Sequence, residues 1–121
     1  MALVFINQNQ NINFQWTTNA AIQLIRERRN VHDQFDRLAN NRQVYLWNLI
    51  STRIRVATGF VATGAQCRTK WNALKRGFEN SLRIITENPQ RLPTRSPNNF
   101  DRDCFNEMSD QFWLRTGNYL F

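Results

Sequence analysis

Apolar residues in this chain recur at three- and four-residue steps, and no stretch alternates as a strand would, so the fold is restricted to helices. The first stripe holds Ala21, Leu24, Ile25, His32 and Phe35. It follows Thr17 and Thr18, either of which can cap a helix by accepting a backbone N–H. That helix is expected to reach about Arg29, with its course through "NVHDQF" open. "LANNR" at 38–42 breaks the pattern, and a second helix is expected from Gln43 to about Ala57. One of its faces carries Val44, Leu46, Trp47, Ile50, Ile54 and Ala57, and the other Tyr45, Leu49 and Val56. A helix apolar on two sides needs two neighbours.

Gly59 in "TGF" is a natural left-handed stop. The third helix opens on Thr63-Gly64-Ala65-Gln66, a hydroxyl followed three residues later by Gln, which is a capping-box pattern. It should run to about Ile85. All three prolines fall in 87–99, a linker or extended crossing. A fourth helix, about 100–114, would align Cys104, Phe105, Met108 and Phe112. Residues 1–13, ending in the polar run "NQNQNIN", read as a flexible lead-in. The expected organisation is one domain over 14–121, with a three-helix core about 14–85 and a C-terminal amphipathic helix.

Charge is unevenly placed. The net +7 resides in residues 53–95, where nine Lys and Arg face only Glu79 and Glu87. The flanking segments, 1–52 and 96–121, nearly cancel. Arginine outnumbers lysine fourteen to two, which suits bidentate pairing with phosphate. A localised polyanion-binding surface is the implication.

Within that segment "TGAQCRTKWNALKRGF", residues 63–78, divides by face. At 100° per residue, Cys67, Trp71, Leu74 and Phe78 span only about 60° of arc and form a buried seam. The outer half and its borders carry Ala65, Arg68, Thr69, Asn72, Lys75, Arg76 and Arg83, with Glu79 the one acid. Arg can bridge the two acceptors of guanine, Asn can pair with adenine, and Thr can touch a thymine methyl. Lys70, Lys75, Arg76 and Arg83, with Arg91 and Arg95 of the linker, suit phosphates, which fix register without reading sequence. A solvated helix face is the alternative for such a surface.

Three tryptophans stand at regular places: Trp16 before Leu24-Ile25, Trp47 in "LWNLI", and Trp71 in "QCRTKWNALKRGF". This pattern resembles the Myb/SANT-like DNA-binding domain of the trihelix type; the related MADF class shares it. "QC-x3-W-x2-L" is its most specific element, and "CFNEMSDQF", 104–112, resembles the family's fourth amphipathic helix. The chain departs from the pattern at Ala20, where an acid is common, and at Val61 and Ala62, where a base often precedes the cap. The resemblance implies a helix-turn-helix bundle whose core holds Trp16, Trp47 and Trp71. It implies base contacts from Arg68, Thr69 and Asn72, and backbone support from Lys75 and Arg76. It further implies double-stranded DNA as partner, a role in transcription regulation, and a nuclear location. A SANT-type protein-interaction module is the competing reading. Tyr45, Leu49, Val56 and Trp113 would then be its anchors, or the fourth helix would pair with a partner or a second copy.

Nothing in the sequence points to an enzyme, a cofactor or a small-molecule substrate. His32, the lone histidine, lies on an apolar stripe and reads as a packing residue. With two cysteines thirty-seven residues apart, no zinc site of the usual spacing assembles. Cys67 and Cys104 are expected as reduced thiols packed as small hydrophobes. The carboxylates of "DRD", 101–103, complement a helix dipole. The apolar opening Ala2–Ile6 is too short for a signal peptide, and no segment is expected to enter a membrane.

Overall fold

The computed structural model describes residues 14–87 and 99–115. The lead-in 1–13, Arg91 and Arg95 of the linker, and the tail aromatics Tyr119 and Phe121 lie outside the described residues. Among the described residues five α-helices follow in order: α1 (Thr18–Asn30), α2 (His32–Arg37), α3 (Gln43–Thr58), α4 (Gly64–Glu87) and α5 (Asn99–Glu107). Short 3-10 turns occupy Asn40–Arg42 and Phe112–Leu114, and no strand occurs among the described residues.

Local chemistry sets most of the boundaries. Thr17 caps α1, its hydroxyl accepting from the Ala20 N–H at 3.1 Å. The expected first helix is two segments, because at Val31 the backbone leaves helical geometry (φ −111°, ψ 17°) and α2 starts anew on the Val31 carbonyl. Gly59 ends α3 in the left-handed region (φ 78°), its N–H reaching the Arg55 carbonyl at 2.8 Å. The capping box closes both ways. The Gln66 N–H donates to the Thr63 hydroxyl at 3.0 Å, and the Thr63 N–H donates to the Gln66 amide oxygen at 2.9 Å.

The core forms where α1, α3 and α4 face one another. Ala20, Ala21, Leu24 and Ile25 of α1, Leu46, Ile50 and Ile54 of α3, and Cys67 of α4 are wholly shielded from solvent. Ala20, where the sequence departs from the pattern it resembles, is part of this core. Val44 and Ala57 were expected on the buried face of α3, yet both are exposed, because the neighbouring helices cover only its middle.

The fourth helix is shorter than its stripe suggested. After Glu107 the chain turns, with Gln111 at positive φ (48°), and enters the Phe112–Leu114 turn. After this turn both Phe112 and Trp113 lie against α4, Phe112 on Trp71 and Trp113 on Phe78. Two arginines of α1 hold this end. Arg29 reaches Glu107 at 3.0 Å and Asp110 at 3.0 Å, and Arg26 reaches Glu107 at 3.2 Å.

Candidate nucleic-acid interface

The inner side of α4 is fixed by aromatic packing. Trp71 is buried, stacked on Phe112 at 5.4 Å and met edge-on by Trp113 at 5.7 Å. Phe78 stacks on Phe105 at 4.6 Å. From α1, the Arg28 guanidinium lies 3.9 Å over Phe35 and 5.5 Å from Trp71. Burial pushes Arg28 down to about 10, against the opposing pull of Asp36. His32 is buried beside it, one ring nitrogen 3.0 Å from the Arg28 guanidinium and the other 2.9 Å from the Arg115 carbonyl. A guanidinium can only donate and a carbonyl can only accept, so the ring accepts from Arg28 and donates to the Arg115 carbonyl.

The outer side of α4 is open. Arg68, Thr69 and Asn72 are all exposed and line one groove with Ala65 and Gly64 of the same helix. Val44, Trp47 and Asn48 of α3 form its other wall. The two helices come this close because residue 64 is glycine. A Cβ there would lie 2.3 Å from the Asn48 Oδ1 and 3.1 Å from backbone atoms of Trp47 and Asn48. The sequence reading did not include Asn48, and its only signal was a polar residue between apolar neighbours in "LWNLI".

The cations divide. Arg76 is exposed and Lys75 half-buried, both on the flank that carries Arg68 and Asn72. Arg83 lies further along the same exposed helix, bonded to the Asn80 side chain and 4.0 Å from Glu87. Lys70 was grouped with them, but it projects towards α5, its Nζ 4.9 Å over the Phe100 ring. The reason is angular: residue 70 falls on the far side of the Cys67–Trp71 seam.

The other expected site residues separate likewise. Trp47 and Trp71 are core, whereas Trp16 is half-buried at the edge, because it precedes the cap of α1. There it tilts against Phe60 of the α3–α4 turn at 4.8 Å. Of the expected partner anchors, Tyr45 and Val56 are exposed on α3 and Leu49 is half-buried. Trp113 does not join them. It packs on Phe78 at 5.3 Å and donates its indole N–H to Glu79 at 3.3 Å.

Cys67 and Cys104 are both free and buried. No cluster of metal-ligand type occurs among the described residues, and none of their helices is long and apolar enough to cross a membrane.

No curated protein and no solved structure matches the chain. Residues 13–111 match the family of Myb/SANT-like DNA-binding domains, a match that includes the capped α4, its buried tryptophan and the exposed polar flank. The chain therefore belongs to the Myb/SANT-like DNA-binding domain family, a helix-turn-helix fold whose partner is DNA.

Proposed function

We propose that the domain reads double-stranded DNA sequence by laying α4 in the major groove, as part of a nuclear regulator of transcription. The observation that carries this reading is the joint exposure of Arg68, Thr69 and Asn72 on the open flank of a helix whose inner side is locked by Trp71. A rigid helix with guanidinium, hydroxyl and amide groups on one face has the chemistry to discriminate base edges. Lys75, Arg76 and Arg83 then serve the phosphates.

The test is a selection from a random duplex pool, repeated with Asn72→Ala and Arg68→Ala. The native domain should enrich a defined site. Each variant should lose about 1–3 kcal/mol on that site and relax the preference at one position. Equal loss on every sequence would remove these residues from base reading.

The second reading, a SANT-type protein-interaction module, draws on the exposed α3 side chains Tyr45 (68% exposed) and Val56 (79% exposed). Pairing through α5 has less support. Its Cys104 is buried and its Glu107 is held by α1. The exposed guanidinium, hydroxyl and amide of Arg68, Thr69 and Asn72 along the groove favour DNA.

A further inference from the structure

Glu79 stands among the cations of α4, one turn after Lys75 and Arg76 and one turn before Arg83. Arg68, Asn72, Lys75 and Glu79 follow at steps of four, three and four residues, which puts them in one line along the helix. The neighbouring charges do not hold the acid. Arg83 turns to Asn80 and Glu87, and among the described residues Glu79 makes no ion pair. Its carboxylate accepts instead from the Trp113 indole N–H, 3.3 Å away.

The donor is the rigid partner. The Trp113 ring meets Trp71, Phe78 and Phe112 edge-on, at 5.7, 5.3 and 5.4 Å, and an indole N–H can only donate. Glu79 is exposed and reaches it with a flexible side chain. The indole therefore decides where the carboxylate rests.

Position along α4 decides what that carboxylate would otherwise meet. Side chains that read bases from a major-groove helix fall within about seven or eight residues. Glu79 stands eleven positions after Arg68 and seven after Asn72, about 10 Å beyond Asn72 along the axis. That level belongs to Lys75, Arg76 and Arg83, the side chains assigned to phosphates. A carboxylate released there would repel the strand that its neighbours attract.

We propose that Trp113 is a positioning residue for DNA binding: its indole N–H draws the Glu79 carboxylate away from the sugar–phosphate backbone, leaving Lys75 and Arg76 unopposed. This rests on the α4 reading proposed above. The C-terminal turn thereby sets the charge that α4 offers to DNA.

The experiment is a double-mutant cycle read by DNA binding across a salt titration. The proteins are the native domain, Trp113→Phe, Glu79→Gln and the two combined, with Arg76→Ala and Asn72→Ala as controls for α4. Melting of each is followed in parallel. The probes are a random-sequence duplex and the duplex enriched by the native domain. Trp113→Phe keeps an aromatic ring against Phe78 and removes the donor. It should weaken both probes about fivefold at low salt, and the loss should shrink as salt rises. Glu79→Gln should bind both at least as well as the native domain. In the Glu79→Gln background the tryptophan change should have no effect, a rescue that a merely structural role for Trp113 does not produce.

Equal losses in both backgrounds would make Trp113 a packing residue only and overturn the proposal. Native binding by Trp113→Phe, with Arg76→Ala weakened, would also overturn it and leave the α4 reading standing. A loss on the enriched duplex alone in Glu79→Gln would mean that the carboxylate reads a base and is not held aside. Native binding by both Arg76→Ala and Asn72→Ala would remove α4 from the interface, and both readings with it.

Discussion

Phe112 lies stacked on Trp71, ring centroids 5.4 Å apart and planes 26° from parallel, and neither side chain is open to solvent. A residue forty-one positions downstream thus completes the burial of the tryptophan that orients α4. The C-terminal segment is part of the same core. Phe112→Ala should destabilise the domain by about 3–5 kcal/mol, within the range for deleting a buried aromatic ring. Denaturant unfolding measures it. A loss under about 1 kcal/mol would mean that the segment after α5 does not support α4.

Glu107 provides a pH test of the same segment. Burial opposes its ionisation, but the hydrogen bonds and charges of Arg26 and Arg29 outweigh that and hold its carboxyl below the usual range. A carboxylate depressed in the fold contributes stability that is fully present above its unfolded pKa, about 4.3, and is lost as pH falls through the folded value. Glu107→Gln should cost roughly 1.5–3 kcal/mol at neutral pH. The gap between native and variant melting should close as the pH falls below about 4. A gap independent of pH would show that the charge contributes nothing.

Gly64 should tolerate little. In Gly64→Ala the new Cβ would meet the Asn48 Oδ1 at 2.3 Å, which a side chain can relieve, and backbone at 3.1 Å, which it cannot. We expect a loss of about 1–3 kcal/mol, typical of overpacking. Adding Asn48→Ala should recover part of it, since the two sites are in contact and their effects are not additive. Strict additivity would argue against the contact.

The cations of α4 should separate by salt dependence. Arg76→Ala and Lys75→Ala should each lower the slope of DNA binding against salt by about 0.9. Lys70→Ala should leave it unchanged, because that ammonium sits over Phe100. A lowered slope for Lys70→Ala would bring it back to the DNA face.

Both thiols should be inert in the native state. Burial pushes Cys67 up to about 11. Cys104 is also raised to about 11, by burial first and then by Asp101, Asp103 and Glu107, with Lys70 opposing. The thiolate is the reacting species, so alkylation at pH 8 should be slow and should accelerate on adding denaturant. Rapid labelling of the folded domain would contradict the packing.

Much of α4 was legible because its signals are local. The Thr63–Gln66 box, the Gly59 stop and the seam of Cys67, Trp71 and Phe78 need only the pitch of a helix and hydrogen bonds reaching three or four residues. The exposure of Arg68, Thr69 and Asn72 follows from the same angular count. The places of Lys70 and Trp113 were not legible, since each depends on which partner lies alongside. Lys70 meets a ring supplied from beyond the proline segment, and Trp113 meets α4 after the turn at Gln111. Arg28, half-buried over Phe35, stands four residues after Leu24 and four before His32, inside the apolar stripe, whereas Arg26 and Arg29, which clamp Glu107, fall beside it.

The amino-acid order by itself determined the helical class, the cap of α1, the stop of α3, the capping box of α4 and that helix's two-faced character, because those depend on contacts within one turn. Only the tertiary structure decided that α3 lines the same groove as α4, and that the C-terminal segment seals Trp71. Such contacts join residues far apart in the chain, and their geometry is set by how close two backbones can come.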